Sequence, residues 1–135
     1  MPRREFYTGK YALSKEEFLS AKYYALRYNA WLAEYNSLKD SMGAITVDDM
    51  PHAKNNISNP TQRLAERRAE LREKMEIIEQ AAKDANPEIA RELMIMATNY
   101  DMTFERLKAE CDIPYESTQF YKYRRKFYYL LSKKI

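Results

Sequence analysis

Residues 101–135 read DMTFERLKAECDIPYESTQFYKYRRKFYYLLSKKI, and this stretch decides how the chain is expected to fold. Thr103 is a capping residue, and Phe104, Leu107 and Cys111 recur at helical spacing, so a short helix over 103–111 buries that face. Asp112-Ile113-Pro114 then stops it, because proline cannot continue a helix, and Ile113 is positioned to plug the core between two helices. A last helix runs from about Glu116 to the end, with Phe120, Tyr123, Phe127, Leu130 and Leu131 on its apolar face. Thr118, Lys122, Arg125 and Tyr129 occupy the opposite face, flanked by Tyr121, Lys126 and Lys133. A short helix, a tight turn with an apolar plug and a longer basic helix make the helix-turn-helix plan, assigned to residues 101–135.

The segments before it are also helical. Asn86-Pro87 joins a capping side chain to proline at the first helical position and opens a helix through Ile89, Leu93, Met96 and Ala97 to near Asn99. Asn59-Pro60 repeats that start, and Leu64, Arg68, Leu71, Met75, Ile78, Ala82 and Ala85 follow at alternating steps of four and three. Together these two helices form a central region over 60–100, whose outer positions are Glu, Arg and Lys of mixed sign, a solvated face. Residues 43–59 are polar and carry no helical period, so a loop is expected there. Its His52, with Asp48 and Asp49, lacks the ligand number and spacing of a metal site, and no metal or cofactor is expected.

The N-terminal segment, 1–42, holds one long helix after an irregular start. Ser14-Lys-Glu-Glu17 is a capping box, and Ala21, Tyr24, Tyr28, Trp31, Tyr35 and Leu38 keep a heptad seam to a stop near Met42-Gly43. These aromatic residues follow the seam, as packing between helices requires, rather than forming a separate stacking surface. The two heptad helices can pair as an antiparallel hairpin within one chain or between chains, and the pattern is the same for both. With a single valine, two glycines and many strong helix formers, the expected class is all-α, of roughly five helices.

Charge is unevenly spread. The net charge is +3, yet residues 112–135 carry six basic against two acidic side chains, while the rest of the chain is close to neutral. A basic end suggests a polyanionic partner, and a solubilising tail has the same charge count. On the helix-turn-helix reading, the first turns of the last helix enter the major groove of double-stranded DNA. The expected DNA-binding residues are then Ser117, Thr118, Gln119 and Lys122 at base edges, with Arg124, Arg125, Lys126, Lys133 and Lys134 on phosphate and Tyr121 on the flank. An amphipathic helix that caps a bundle and merely solvates its basic face would look alike.

The stretches Asp49-Met-Pro-His52, Ser58-Asn-Pro-Thr61, Ile113-Pro114 and Phe120-Tyr-Lys-Tyr-Arg-Arg-Lys-Phe-Tyr-Tyr-Leu-Leu-Ser-Lys-Lys134 resemble a small protein family of Firmicutes prophages, over about residues 10–135. The C-terminal half is also similar to the RinA and ArpU phage late-gene regulators, whose ends resemble region 4 of sigma factors. That resemblance implies a transcriptional regulator in a bacterial host, acting on DNA and touching host RNA polymerase. Where such proteins often follow Ile-Pro with Cys and Gly, this chain has Tyr115 and Glu116, and the acidic side chain would repel a nearby phosphate.

Two other functions fit the pattern: a DNA-packaging component like a small terminase subunit, and a helical interaction protein that binds no DNA. Terminase subunits usually carry the helix-turn-helix first, the reverse of the order here. Catalysis is not expected, as the chain has one histidine, no glycine-rich phosphate loop and no Ser/His/Asp set. One cysteine and no bilayer-length apolar run lead to the expectation of a cytoplasmic protein without a membrane segment. A homodimer through the first two helices is expected to match a two-fold operator.

Overall fold

Ser14 closes a capping box on the first helix: its Oγ accepts from the Glu17 amide at 3.0 Å, and its own amide donates to Glu17 Oε1 at 3.0 Å. Two orphan donors of the helix start are satisfied by this exchange. The helix it opens, α1 (Lys15–Leu26), buries Phe18, Ala21 and Ala25 on one side. The structure, a computed structural model, describes residues 11–44 and 60–135, with side chains described for 11–40 and 60–135. His52, Asp48, Asp49 and nearly all of the loop expected over 43–59 lie outside the described residues.

The single long helix expected over the N-terminal segment is two helices. At Arg27 the backbone amide donates to Tyr24 O at 3.2 Å, a tighter closure than the α-helical one, and α2 (Tyr28–Ala44) starts after it. Neither proline nor glycine marks this break, which is why periodicity alone ran straight through it. The interruption falls beside a boundary between two units of the chain, one of Met1–Tyr28 with Ile77–Ile135 and one of Asn29–Glu76.

The unit of Asn29–Glu76 is a helical pairing of α2 with the first part of α3 (Pro60–Ala85). Arg67 clasps Glu34 through two hydrogen bonds, Nε to Oε2 at 2.6 Å and Nη2 to Oε1 at 3.1 Å. The Arg68 guanidinium carbon lies 4.3 Å from the Tyr35 ring centroid, and Lys74 Nζ lies 5.5 Å from that of Trp31. Later positions of α2 thus meet earlier positions of α3, so the seam closes as an antiparallel pair within one chain. Trp31, Leu71 and Met75 are buried in this unit. Arg72–Glu76 at 2.8 Å is a one-turn ion pair on the solvated face that the mixed charges imply, and Lys74, beside Trp31 at the seam, pairs with Glu70 at 3.6 Å.

In the other unit the end of α3 buries Ile78, Ala81, Ala82 and Ala85. Asn86 Oδ1 accepts from the Glu88 amide at 3.0 Å, and the chain turns through a 3-10 segment, Pro87–Ile89, into α4 (Ala90–Thr98). The start signal at Asn86-Pro87 is therefore used, though by a tighter first turn than an α-helix makes. α4 buries Leu93, Met96 and Ala97, and the Thr98 hydroxyl returns to Met94 O at 2.7 Å. Two helices follow, α5 (Phe104–Glu110) and α6 (Ser117–Lys134). α6 packs chiefly on α1, and α4 touches α1, α5 and α6. Phe120, Phe127 and Leu131 of α6 are at most 1% exposed, so this helix forms the middle of the unit. Burying each such side chain contributes roughly 1.5–3 kcal/mol. Among the described residues every regular element is a helix, so the fold is all-α.

Candidate nucleic-acid interface

α5 is built as its sequence requires. Thr103 Oγ1 accepts from the Arg106 amide at 3.2 Å, Phe104 and Leu107 are buried, and the Cys111 amide closes the end on Leu107 O at 2.8 Å. Cys111, expected on the buried face, is only half-buried, because it caps the helix in extended conformation instead of completing another turn. Ile113 is 5% exposed and fills the place expected for the plug. Six residues, 111–116, separate α5 from α6, more than the three or four of a tight helix-turn-helix turn.

Ring packing sets the start of α6. Phe104 meets Phe120 at 5.2 Å between centroids and Tyr121 at 6.2 Å, so the short helix holds the first turns of the long one. Glu116, the residue ahead of α6, offers its carbonyl to the Phe120 amide at 2.9 Å but no side-chain cap. Its carboxylate lies instead 3.9 Å from Lys108 Nζ, which turns the acidic group toward a cation of α5. Tyr115, in the linking segment, donates its hydroxyl to Glu88 Oε2 at 3.0 Å and accepts from Asn86 Nδ2 at 3.3 Å. Asn86 draws the phenol's pKa down, but the hydrogen bond to Glu88, burial and the Glu88 charge outweigh it and leave the pKa raised. The Tyr115 ring in turn lies 5.2 Å from that of Tyr123 on α6.

The ten residues expected to contact DNA fall into three groups, of which the first two share Gln119 and Lys122. Thr118, Gln119 and Lys122 are exposed on the first two turns of α6, and Ser117 and Tyr121 beside them are half-buried. Gln119, Lys122, Arg125 and Lys126 come together at one open recess of about 380 Å³, completed by Tyr11 and Tyr123. The third group is engaged within the chain. The Arg124 guanidinium lies over Tyr128, Phe18 and Tyr121 at 5.1, 5.8 and 6.0 Å. Lys133 Nζ is 3.8 Å from Glu17, and Lys134 Nζ is 3.9 Å from Asp84.

Two residues of the recess were not legible as site residues. Tyr11 belongs to a start without period, yet its ring abuts Tyr129 at 5.3 Å and lies 5.7 Å from Lys126 Nζ. The face of α6 expected to be open to solvent is thus partly covered, with Tyr129 half-buried under Tyr11. The helical period places Tyr123 on the apolar face; it is half-buried and also lines the recess, and its spacing of four from Gln119 is the signal that points to it. The apolar face is completed by Tyr128, which is 2% exposed and meets Phe18 at 5.2 Å.

Among the described residues no three His, Cys, Asp or Glu side chains gather as metal ligands do, and no helix is long and apolar enough to cross a membrane. Compared with protein-family models, curated proteins and solved structures, the chain matches none.

Proposed function

We propose that the protein binds double-stranded DNA by inserting the first turns of α6 into the major groove. One observation carries this reading: Thr118, Gln119 and Lys122 are exposed together on those turns, with Arg125 and Lys126 beside them at a common recess. Hydroxyl and amide groups there are short enough to read base edges, while the cations one and two turns on neutralise phosphate. Lys108 Nζ lies 3.9 Å from the Glu116 carboxylate, an exposed pair whose positive charge partly offsets the repulsion that this acidic group would exert on phosphate at the helix start. Binding rather than catalysis is the role proposed.

The resemblance to Firmicutes prophage proteins and to RinA and ArpU regulators extends the proposal to control of phage late genes, with host RNA polymerase as a second partner. A homodimer matching a two-fold operator belongs to the same proposal. Trp31, Glu34 and Tyr35 already have α3 partners in their own chain, so such a dimer would use other faces. Selecting fragments of a phage genome with the purified protein tests the reading. Enrichment upstream of late genes is the expected result, and enrichment at a packaging site would favour the terminase-like role instead.

A helical interaction protein without DNA affinity is the second reading, and a specific observation favours it. Arg124, Lys133 and Lys134, three of the side chains expected on phosphate, have partners inside the chain. Exposed pairs at such distances are worth only ~0–1 kcal/mol, so either lysine can exchange its carboxylate for a phosphate at little cost. Failure to enrich any fragment would establish this second reading over the first.

A further inference from the structure

The recess on α6 is larger than a phosphate contact needs. At about 380 Å³ it has the size of small-ligand sites, which run from ~300 to 1,000 Å³. Its lining is of two kinds. Lys122, Arg125 and Lys126 supply cationic groups, and none of the lining residues is acidic. Tyr11 and Tyr123 supply aromatic rings, and Gln119 supplies a carboxamide with both donor and acceptor atoms. Among the described residues neither Lys122 nor Lys126 has a carboxylate within ion-pair distance, although other lysines of the unit do.

The rings are held in advance. Tyr129 abuts Tyr11, and Tyr115 abuts Tyr123 while its hydroxyl is tied to Glu88 and Asn86. A ligand entering between them would therefore spend little conformational entropy on ordering these side chains. A planar base on one tyrosine ring, its edge at the Gln119 amide and its phosphate on the lysines would use both the aromatic and the cationic parts of the lining.

We infer that this recess binds one nucleotide with its base unstacked, supplied either as a free nucleoside phosphate or by an unpaired position of a nucleic-acid strand. The inference rests on the DNA-binding reading of α6 for its ligand class but does not require a duplex. Deoxyadenosine monophosphate titrated into the isotope-labelled full chain should give saturable shifts at Gln119, Lys122 and Tyr123. Inorganic phosphate should bind on the order of tenfold more weakly, for want of one base-to-ring stack. Tyr11→Phe, which keeps the ring, should bind as the parent does. Tyr11→Ala and Lys126→Ala should each weaken binding several-fold with an unchanged circular-dichroism spectrum.

The source follows from competition. Displacement of the mononucleotide by a single-stranded oligonucleotide assigns the site to unpaired strand positions, and failure to displace assigns it to a free nucleotide. Absence of saturable shifts, or equal affinity for the nucleotide and inorganic phosphate, overturns the inference. A fully paired duplex, tested in parallel, separates it from the DNA reading. Duplex binding without nucleotide binding overturns this inference alone, and nucleotide binding without duplex binding overturns the major-groove reading alone.

Discussion

The guanidinium of Arg124 lies 5.1 Å from the ring centroid of Tyr128, on a face of α6 that packs against Phe18 of α1. One helix therefore carries two cationic populations: Arg124 set in aromatic packing, and Lys122 with Lys126 at the recess. They answer differently to substitution. Arg124→Ala should lower the melting temperature, at a cost of about 1–2 kcal/mol, because the cation–π pairing and the packing of the arginine stem both go. Its salt dependence of DNA binding should stay that of the parent. Thermal melts and binding isotherms on the same variant check both halves.

Lys122→Ala and Lys126→Ala should do the reverse. A variant that neutralises one phosphate fewer on a duplex should show a slope of log affinity on log salt shallower by roughly 0.9. Thr118 or Gln119 substitutions should instead relax preference at one or two base positions, at roughly 1–3 kcal/mol for each well-made base pairing removed. Titrations over a range of salt would sink the major-groove reading if the lysine variants fold and keep both affinity and slope.

Phe127→Ala should cost roughly 3–5 kcal/mol, since a side chain 1% exposed leaves a cavity when truncated. The whole unit around α6 should be weakened, because α6 is its middle. Denaturant unfolding followed by tyrosine fluorescence measures this, and a destabilisation below about 1 kcal/mol would mean that the site collapses without penalty.

Two groups make stability depend on pH in opposite directions. The Glu17 carboxylate is held below its usual pKa, first by the Ser14 amide, then by the Ser14 hydroxyl, with a smaller share from Lys133. The unfolded chain thus takes up this proton first as pH falls, so the contribution is complete above about pH 4–5 and disappears below it. Tyr128 is the converse. Burial raises its pKa, against the opposing charge and hydrogen bond of Arg124. Its contribution is complete below about pH 10 and is lost as pH rises further, because the unfolded chain ionises first. Glu17→Gln should flatten the acid limb, and Tyr128→Phe should flatten the alkaline limb, in melting temperatures recorded across pH.

The capping box at Ser14, the starts at Asn86 and Thr103, the plug at Ile113 and the buried Phe120, Phe127 and Leu131 were all legible in the sequence. Each is local: a cap needs a hydroxyl or amide one turn from an orphan amide, and an amphipathic face needs only the helical period. The break at Arg27 was not legible, because it carries no proline or glycine.

What only the tertiary structure decided is which chemistry-bearing side chains share one place. The sequence by itself determined an all-α chain with a basic last helix, since propensity, capping and periodicity act over a few residues. It could not assign Tyr11 to α6, because that contact joins positions far apart in the chain through a ring on a ring. Nor could it divide the cations of α6. Arg124 and Arg125 are adjacent in sequence, yet a helix turns about 100° per residue, and packing set Arg124 over aromatic rings and Arg125 at the recess. Side-chain identity set the charge of α6, and neighbours on α1 and α3 decided that Arg124, Lys133 and Lys134 are engaged within the chain.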